Sequence, residues 1–138
     1  MQTLIVNYLR MFICLVDGCH HYQNLTDAER KCDHPVISPS KCDIDLDTKG
    51  WHRFQGAAGT KMATESPGLK KSGAPHPAWL DGAHPTVAEG IITRYACINK
   101  GGECGERAVV HVKNCTSYYV YKFQGYSAAC PFLYCGTD

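Results

Sequence analysis

The 138-residue chain is long enough for one domain with a modest hydrophobic core, and its formal net charge at pH 7 is only +1. This balance argues against a nucleic-acid-binding protein and against a protein held by charge on an anionic membrane. Nine cysteines without a single CxxC pair argue against a zinc site and predict a disulfide framework in an oxidising, extracellular compartment.

Residues 1–18 resemble a signal peptide, with apolar stretches before a small residue, Gly18. Cleavage near Gly18 would remove Cys14 and leave an even number of cysteines, as a closed disulfide framework requires. Polar residues interrupt the apolar run, so a fragment of a longer chain is the alternative. No run reaches the roughly 18 apolar residues that span a bilayer. We therefore predict a signal peptide over 1–18 and one secreted domain over 19–138, without a membrane span.

The next part of the chain is polar and irregular. Residues 19–50 predict loops with one short strand, and residues 50–54 predict another short strand. From 64 to 85 the sequence is rich in proline and glycine, which excludes a helix. Within it, Trp79 and Leu80 are the only large apolar anchors, so we expect them to insert from a loop into the core.

Two groups of possible metal ligands do not fit a metal site. Asp43, Asp45 and Asp47 alternate as at the start of a calcium loop, but the obligatory glycine and the bidentate glutamate are missing. An exposed strand face or a turn is the better interpretation. His20, His21 and His34 are more simply explained as an exposed polar tail, since adjacent strand residues point in opposite directions. We predict neither a metal nor a cofactor.

Three segments near the C-terminus alternate as half-buried strands do: 91–97, 108–114 and 118–123. A predicted turn at 99–102 separates the first two, so the three form an antiparallel meander. The fold class is therefore mainly β: a small, disulfide-rich antiparallel sheet or sandwich with long loops. The predicted core side chains are large and aromatic: Trp51, Phe54, Trp79, Tyr119 and Tyr121.

One cluster of titratable residues offers an alternative function. Asp81, His84 and Glu89 are close in sequence and would have to converge for a small secreted enzyme or a metal-binding protein. No serine has a nucleophile-elbow context, and His76-Pro77 and His84-Pro85 fit turns in which the imidazole bonds to backbone. We therefore predict that the chain is not an enzyme.

Two possible glycosylation sites and one cluster of tyrosines are further candidate functional sites. Asn24 and Asn114 each begin an N-glycosylation sequon, and Cys115 occupies the middle of the second. Five tyrosines near the C-terminus offer a binding face, although core packing explains part of them more simply: Tyr118, Tyr119, Tyr121, Tyr126 and Tyr134.

The order of several motifs resembles the cysteine-rich domain of the uromodulin and zymogen-granule membrane glycoprotein family. The matching motifs are Cys42-Asp43, Gly50-Trp-His-Arg-Phe54, Pro77-Ala-Trp-Leu-Asp-Gly-Ala-His-Pro85, Tyr118-Tyr-Val-Tyr121 and Tyr134-Cys135. They cover most of the chain from Cys19 to Cys135. The resemblance implies an extracellular, disulfide-rich, mainly β and non-catalytic domain.

The resemblance also implies three disulfides, Cys19–Cys115, Cys42–Cys130 and Cys97–Cys104. Ser66, Ser72 and Glu103 stand where the family has cysteines, which leaves Cys135 without its family partner. This chain also has Cys32, which the family pattern does not require. We hypothesise that Cys32 pairs with Cys135. The segment from Cys115 to Cys135 would then be linked by disulfides to three cysteines in the N-terminal part of the chain.

Some members of this family are thought to capture bacterial pilus adhesins through a high-mannose glycan. The corresponding sequons match positions Asp81 and Lys122 here, and neither residue is asparagine. The pilus-capturing role therefore does not transfer directly. We expect a secreted, non-catalytic interaction module for adhesion or defence, whose partner is an extracellular protein or a glycan-binding molecule.

Overall fold

A computed structural model describes residues 17–68, 73–101, 103–124 and 130–138. Most of the predicted signal peptide, including Cys14, lies outside the described residues, as do Ser72 and Tyr126. Within the described residues, nine strands and three short 3-10 helices alternate with loops, and no α-helix is present. None of the described helices is long and apolar enough to cross a membrane.

The strands run in chain order as β1 (Gln23–Leu25), β2 (His52–Phe54), β3 (Lys61–Met62), β4 (His76–Asp81), β5 (Ile91–Lys100), β6 (Glu103–Asn114), β7 (Tyr119–Phe123), β8 (Phe132–Tyr134) and β9 (Gly136–Thr137). Seven of them form one sheet in the order β1-β2-β7-β6-β5-β4-β8, and β3 pairs with β9 in a second, small sheet. The 3-10 helices are Ala28–Arg30, Asp43–Asp45 and Gly56–Ala58.

The mainly β prediction is confirmed, and so is the antiparallel meander, which corresponds to β5, β6 and β7. The large sheet is nevertheless mixed, because β1 pairs with β2 and β4 pairs with β8 in parallel. Such pairs need long connections. Here the connection from β1 to β2 is the irregular segment between Leu25 and His52.

Two local predictions were wrong. Trp79 and Leu80 are buried, but they lie in β4 rather than in a loop. Pro77 is tolerated there because the pairing of β4 with β5 begins only at Ala78, so the missing N–H of the proline breaks no bond to β5. In addition, the predicted strand bounds were too short: β5 continues to Lys100, with a register shift after Ile98, and β6 begins at Glu103. The hairpin turns at Gly101, with a φ of 71°, inside the predicted turn.

One face of the large sheet forms the core. Side chains that alternate along the strands are fully buried there, including Ala96, Ile98, Val110, Val112, Tyr121 and Phe123. Met62 of the small sheet packs against them. Among the predicted core residues, Phe54, Trp79 and Tyr121 are buried, whereas Trp51 and Tyr119 are half-buried. Trp51 packs so closely on Gly18 that an added Cβ would lie 2.5 Å from its ring.

Asp43, Asp45 and Asp47 were predicted to lie on an exposed strand face or in a turn. Asp43–Asp45 form a 3-10 turn, and Asp45 and Asp47 are exposed, but Asp43 is buried. Its carboxylate accepts two hydrogen bonds from the guanidinium of Arg30, at 2.7 and 2.6 Å, and a third from the backbone N–H of Tyr134 at 2.8 Å. A buried charge is tolerated when an opposite charge and hydrogen bonds satisfy it in this way. The pair therefore fixes two loop segments against β8.

Four disulfides join the described residues. Cys19–Cys115, Cys32–Cys135 and Cys42–Cys130 span 96, 103 and 88 residues, whereas Cys97–Cys104 spans only 7. These are the four pairs expected from the sequence, including the hypothesised Cys32–Cys135 bridge. The three long bridges all connect the irregular N-terminal segment to residues 115–135.

We predict that removing Cys32–Cys135 destabilises the domain more than removing Cys97–Cys104. In the chain-entropy model a 103-residue closure contributes up to about 4.7 kcal/mol and a 7-residue closure about 2.4 kcal/mol. The comparison is matched, because each pair contains one buried cysteine, Cys135 or Cys97. Thermal unfolding of the two double Cys→Ser variants should show the lower midpoint for Cys32/Cys135. Equal midpoints, or the reverse order, would contradict this account of the fold.

Candidate functional site

The three residues of the alternative enzymatic function do not converge. Asp81 pairs with Arg107 at 3.5 Å, His84 bonds to Tyr121, and Glu89 accepts the backbone N–H of Thr86 at 2.9 Å. Among the residues that the structure describes, no three or more His, Cys, Asp or Glu side chains cluster as a metal site would. Each of the three residues is therefore engaged in a separate local contact rather than in one acid–base group.

His84 belongs to a hydrogen-bond network that joins β7 to β3. Its Nε2 lies 2.7 Å from the hydroxyl of Tyr121, and that hydroxyl accepts the backbone N–H of Met62 at 2.9 Å. Its ring also packs on Tyr119, with centroids 4.3 Å apart. Burial, together with the nearby charge of Lys61, lowers the pKa of His84 to about 4. His84 is thus neutral at pH 7 and shares one hydrogen bond with the Tyr121 hydroxyl.

The expectation that the imidazoles bond to backbone holds for one histidine. His76 Nδ1 lies 3.0 Å from the backbone oxygen of Asn99, although His76 is in β4 rather than in a turn. The predicted tyrosine face is largely internal: Tyr121 and Tyr134 are buried, and Tyr118 and Tyr119 are half-buried.

The solvent-facing side of the large sheet was not identified from the sequence. We call it the outer face, and the strand register places on it Asp81, Ile91, Thr93, Tyr95, Arg107, Val109, His111 and Lys122. Tyr95 is 49% exposed and Ile91 is 57% exposed. Arg107 lies over the Tyr95 ring, 5.8 Å from its centroid. Ile91, Thr93 and Tyr95 are exposed, whereas Ile92 and Arg94 between them are half-buried; the alternation marks two faces of the strand but does not tell which one is exposed.

The two sequons lie in very different surroundings. Asn24 is exposed on β1, at the edge of the sheet, and its Oδ1 accepts the Nε2–H of Gln55 at 2.7 Å. Its Nδ2 has no hydrogen bond to any residue described. Asn114 is half-buried at the end of β6, where Nδ2 donates to the oxygen of Pro85 at 3.1 Å and Oδ1 accepts the N–H of Thr116 at 2.8 Å.

Comparison with known proteins gives one consistent result. A family model described as "Uromodulin-like" matches residues 52–136. The chain is 36% identical over 124 residues to the pancreatic secretory granule membrane major glycoprotein GP2 of Canis lupus familiaris, covering 88% of this chain and 23% of that protein. It is 33% identical over 124 residues to uromodulin of Mus musculus, covering 88% of this chain and 18% of that protein. The chain therefore spans less than a quarter of the length of these curated relatives.

We predict that His84 makes the fold sensitive to mild acid. An unfolded histidine takes up a proton near pH 6.5, whereas folded His84 does so only near pH 4, so the unfolded state binds more protons between these values. Stability is therefore lost as the pH falls from about 6.5 to 4. Burial also lowers the pKa of His52, which adds to the same trend. Urea unfolding at several pH values should show that the free energy of unfolding falls less between pH 6.5 and 4 in His84→Gln than in the wild type. An equal fall in the two proteins would contradict the role given to His84.

Proposed function

Because the chain belongs to the uromodulin-like domain family, we propose that it is a secreted, non-catalytic interaction module that presents an N-linked glycan at Asn24 to an extracellular glycan-binding partner. The family resemblance read from the sequence motifs is thereby confirmed. The relatives named as secretory granule membrane glycoproteins support both parts of the proposal, the glycan and the secretory route.

The accessibility of Asn24 carries the proposal. Its side chain is exposed on an edge strand, and its Nδ2, the atom to which a glycan is attached, has no hydrogen bond to the described residues. At Asn114 the same atom donates a hydrogen bond to the backbone oxygen of Pro85, and the middle residue of the sequon, Cys115, is bridged to Cys19. A glycan on Asn24 would project from the edge of the sheet without disturbing the core.

The covalent framework supports the extracellular part of the proposal. All eight cysteines of the described residues are paired, and three of the pairs close loops of 88 to 103 residues. Such frameworks form and persist in oxidising compartments. The separate partners of Asp81, His84 and Glu89 support a binding role over a catalytic one.

Direct recognition of a protein is the second candidate, and the outer face favours it. Tyr95 and Ile91 are large, exposed side chains on the same face of β5, and tyrosine and arginine are enriched at protein interfaces. Arg107 and Lys122 give this face more positive than negative charge, so the fitting partner is an acidic protein surface. Tyr95→Ser would impair this binding and leave a glycan on Asn24 in place.

We predict that Asn24 is glycosylated and Asn114 is not. The full chain, secreted from cultured animal cells, should give a modified Asn24 peptide and an unmodified Asn114 peptide by mass spectrometry. An immobilised mannose-binding lectin should retain the wild type and Tyr95→Ser but lose both Asn24→Gln and Thr26→Ala. Thr26→Ala is the matched variant, because it removes the sequon and keeps the Asn24 side chain. An unmodified Asn24, or lectin capture that survives both substitutions, would overturn the proposal.

A further inference from the structure

A polar cleft of about 250 Å³ lies between the start of β3 and the turn that joins β6 to β7. We call it the hydroxyl cleft and define it by the side chains of Thr60, Lys61, Thr116 and Ser117. Tyr119 and Asn114 also line it. It is separate from Asn24 and from the outer face. Its volume is below the roughly 300–1,000 Å³ of pockets that enclose drug-sized molecules, so it suits a ligand no larger than a single sugar.

The cleft has a positive charge that no carboxylate of the described residues neutralises. Among those residues, Lys61 is the only charged one in its lining, and none of their ion pairs involves Lys61. The charge of Lys61 also reaches His84, whose pKa it helps to lower. An ammonium group without a counter-charge in its vicinity attracts an anion.

Hydroxyl donors surround this charge. No hydrogen bond among the described residues engages the side-chain hydroxyl of Thr116 or Ser117, and Thr60 makes only a long contact of 3.5 Å to Thr137. By contrast, both polar atoms of Asn114 are satisfied within the protein. The free polar groups of the cleft are therefore hydroxyls and one ammonium, a set that donates hydrogen bonds to oxygen.

The turn that carries two of the hydroxyls is held rigidly. Cys115 is bridged to Cys19, and its backbone N–H donates to the oxygen of Tyr118 at 2.7 Å. The Asn114 side chain fixes the N–H of Thr116 at 2.8 Å, and Thr116 has a φ of 77°. Preorganised donors bind more tightly, since little conformational freedom is lost when the ligand arrives.

We propose that the hydroxyl cleft binds a small oxyanion, either the carboxylate of an acidic monosaccharide or a free sulfate or phosphate. Lys61 supplies the charge, and the hydroxyls of Thr60, Thr116 and Ser117 donate to the oxygens. The site is independent of the glycan proposed for Asn24, so either proposal can fail without the other.

The test is an NMR titration of the full, disulfide-bonded chain produced in a bacterial periplasm, where N-glycans are not added. Backbone amide shifts are followed at pH 7 and constant ionic strength with N-acetylneuraminate, sulfate and phosphate, and with galactose as the neutral probe. We expect saturable shifts at residues 60–61 and 116–119 with at least one oxyanion and none with galactose. Saturation by N-acetylneuraminate alone identifies an acidic sugar, and saturation by sulfate or phosphate identifies a free oxyanion.

Three variants distinguish specific anion binding in the cleft from nonspecific attraction of the anion to a positive charge. Lys61→Gln should weaken binding about tenfold or more, as expected when a charged hydrogen-bond partner is removed. Lys49→Gln makes the same charge change in a loop outside the cleft and should leave the dissociation constant unchanged. Ser117→Ala should weaken binding without altering charge.

The proposal is overturned if no probe gives saturable shifts, if galactose gives equal shifts, or if Lys61→Gln and Lys49→Gln have the same effect on the dissociation constant. It is also overturned if protein secreted from animal cells has Asn114 glycosylated, because that glycan would fill the cleft.

Discussion

Three long-range disulfides are the constraint on which the rest of the structure depends. Between Asp17 and Trp51 the chain contains one three-residue strand and two 3-10 turns, so backbone hydrogen bonds alone hold it weakly. The bridges from Cys19, Cys32 and Cys42 fix this segment against residues 115–135. That placement allows β1 to pair in parallel with β2 and brings Arg30 to Asp43 beneath Tyr134. The buried ion pair then satisfies polar groups that the crossing loops would otherwise bury unpaired.

The same framework separates the three proposed binding regions of the surface. Asn24 lies at one edge of the large sheet, the outer face occupies its solvent side, and the hydroxyl cleft opens at the turn fixed by Cys19–Cys115. A rigid scaffold that carries function at edges and turns is the usual arrangement in binding modules. The neutral His84 network connects β7 to β3, and it adjoins the cleft through Tyr119, which packs on His84 and lines the cleft.

The sequence predicted what depends on local alternation and on the spacing of motifs. Strands β5, β6 and β7 follow from period-two patterns, and the bridges follow from the family motifs together with the extra Cys32. What it could not predict depends on distant partners. Asp43 is buried because Arg30 reaches it, and β4 is a strand because β5 and β8 flank it. Tyr95 is exposed because the core lies on the other face of its strand, a choice that alternation alone does not make.

The central claim, that Cys32 replaces the missing family partner of Cys135, is tested most directly by non-reducing peptide mapping. Protein digested without reduction should yield one linked peptide pair for Cys32 and Cys135, together with pairs for Cys19–Cys115, Cys42–Cys130 and Cys97–Cys104. Recovery of Cys32 or Cys135 as a free thiol, or linked to any other cysteine, would contradict the account.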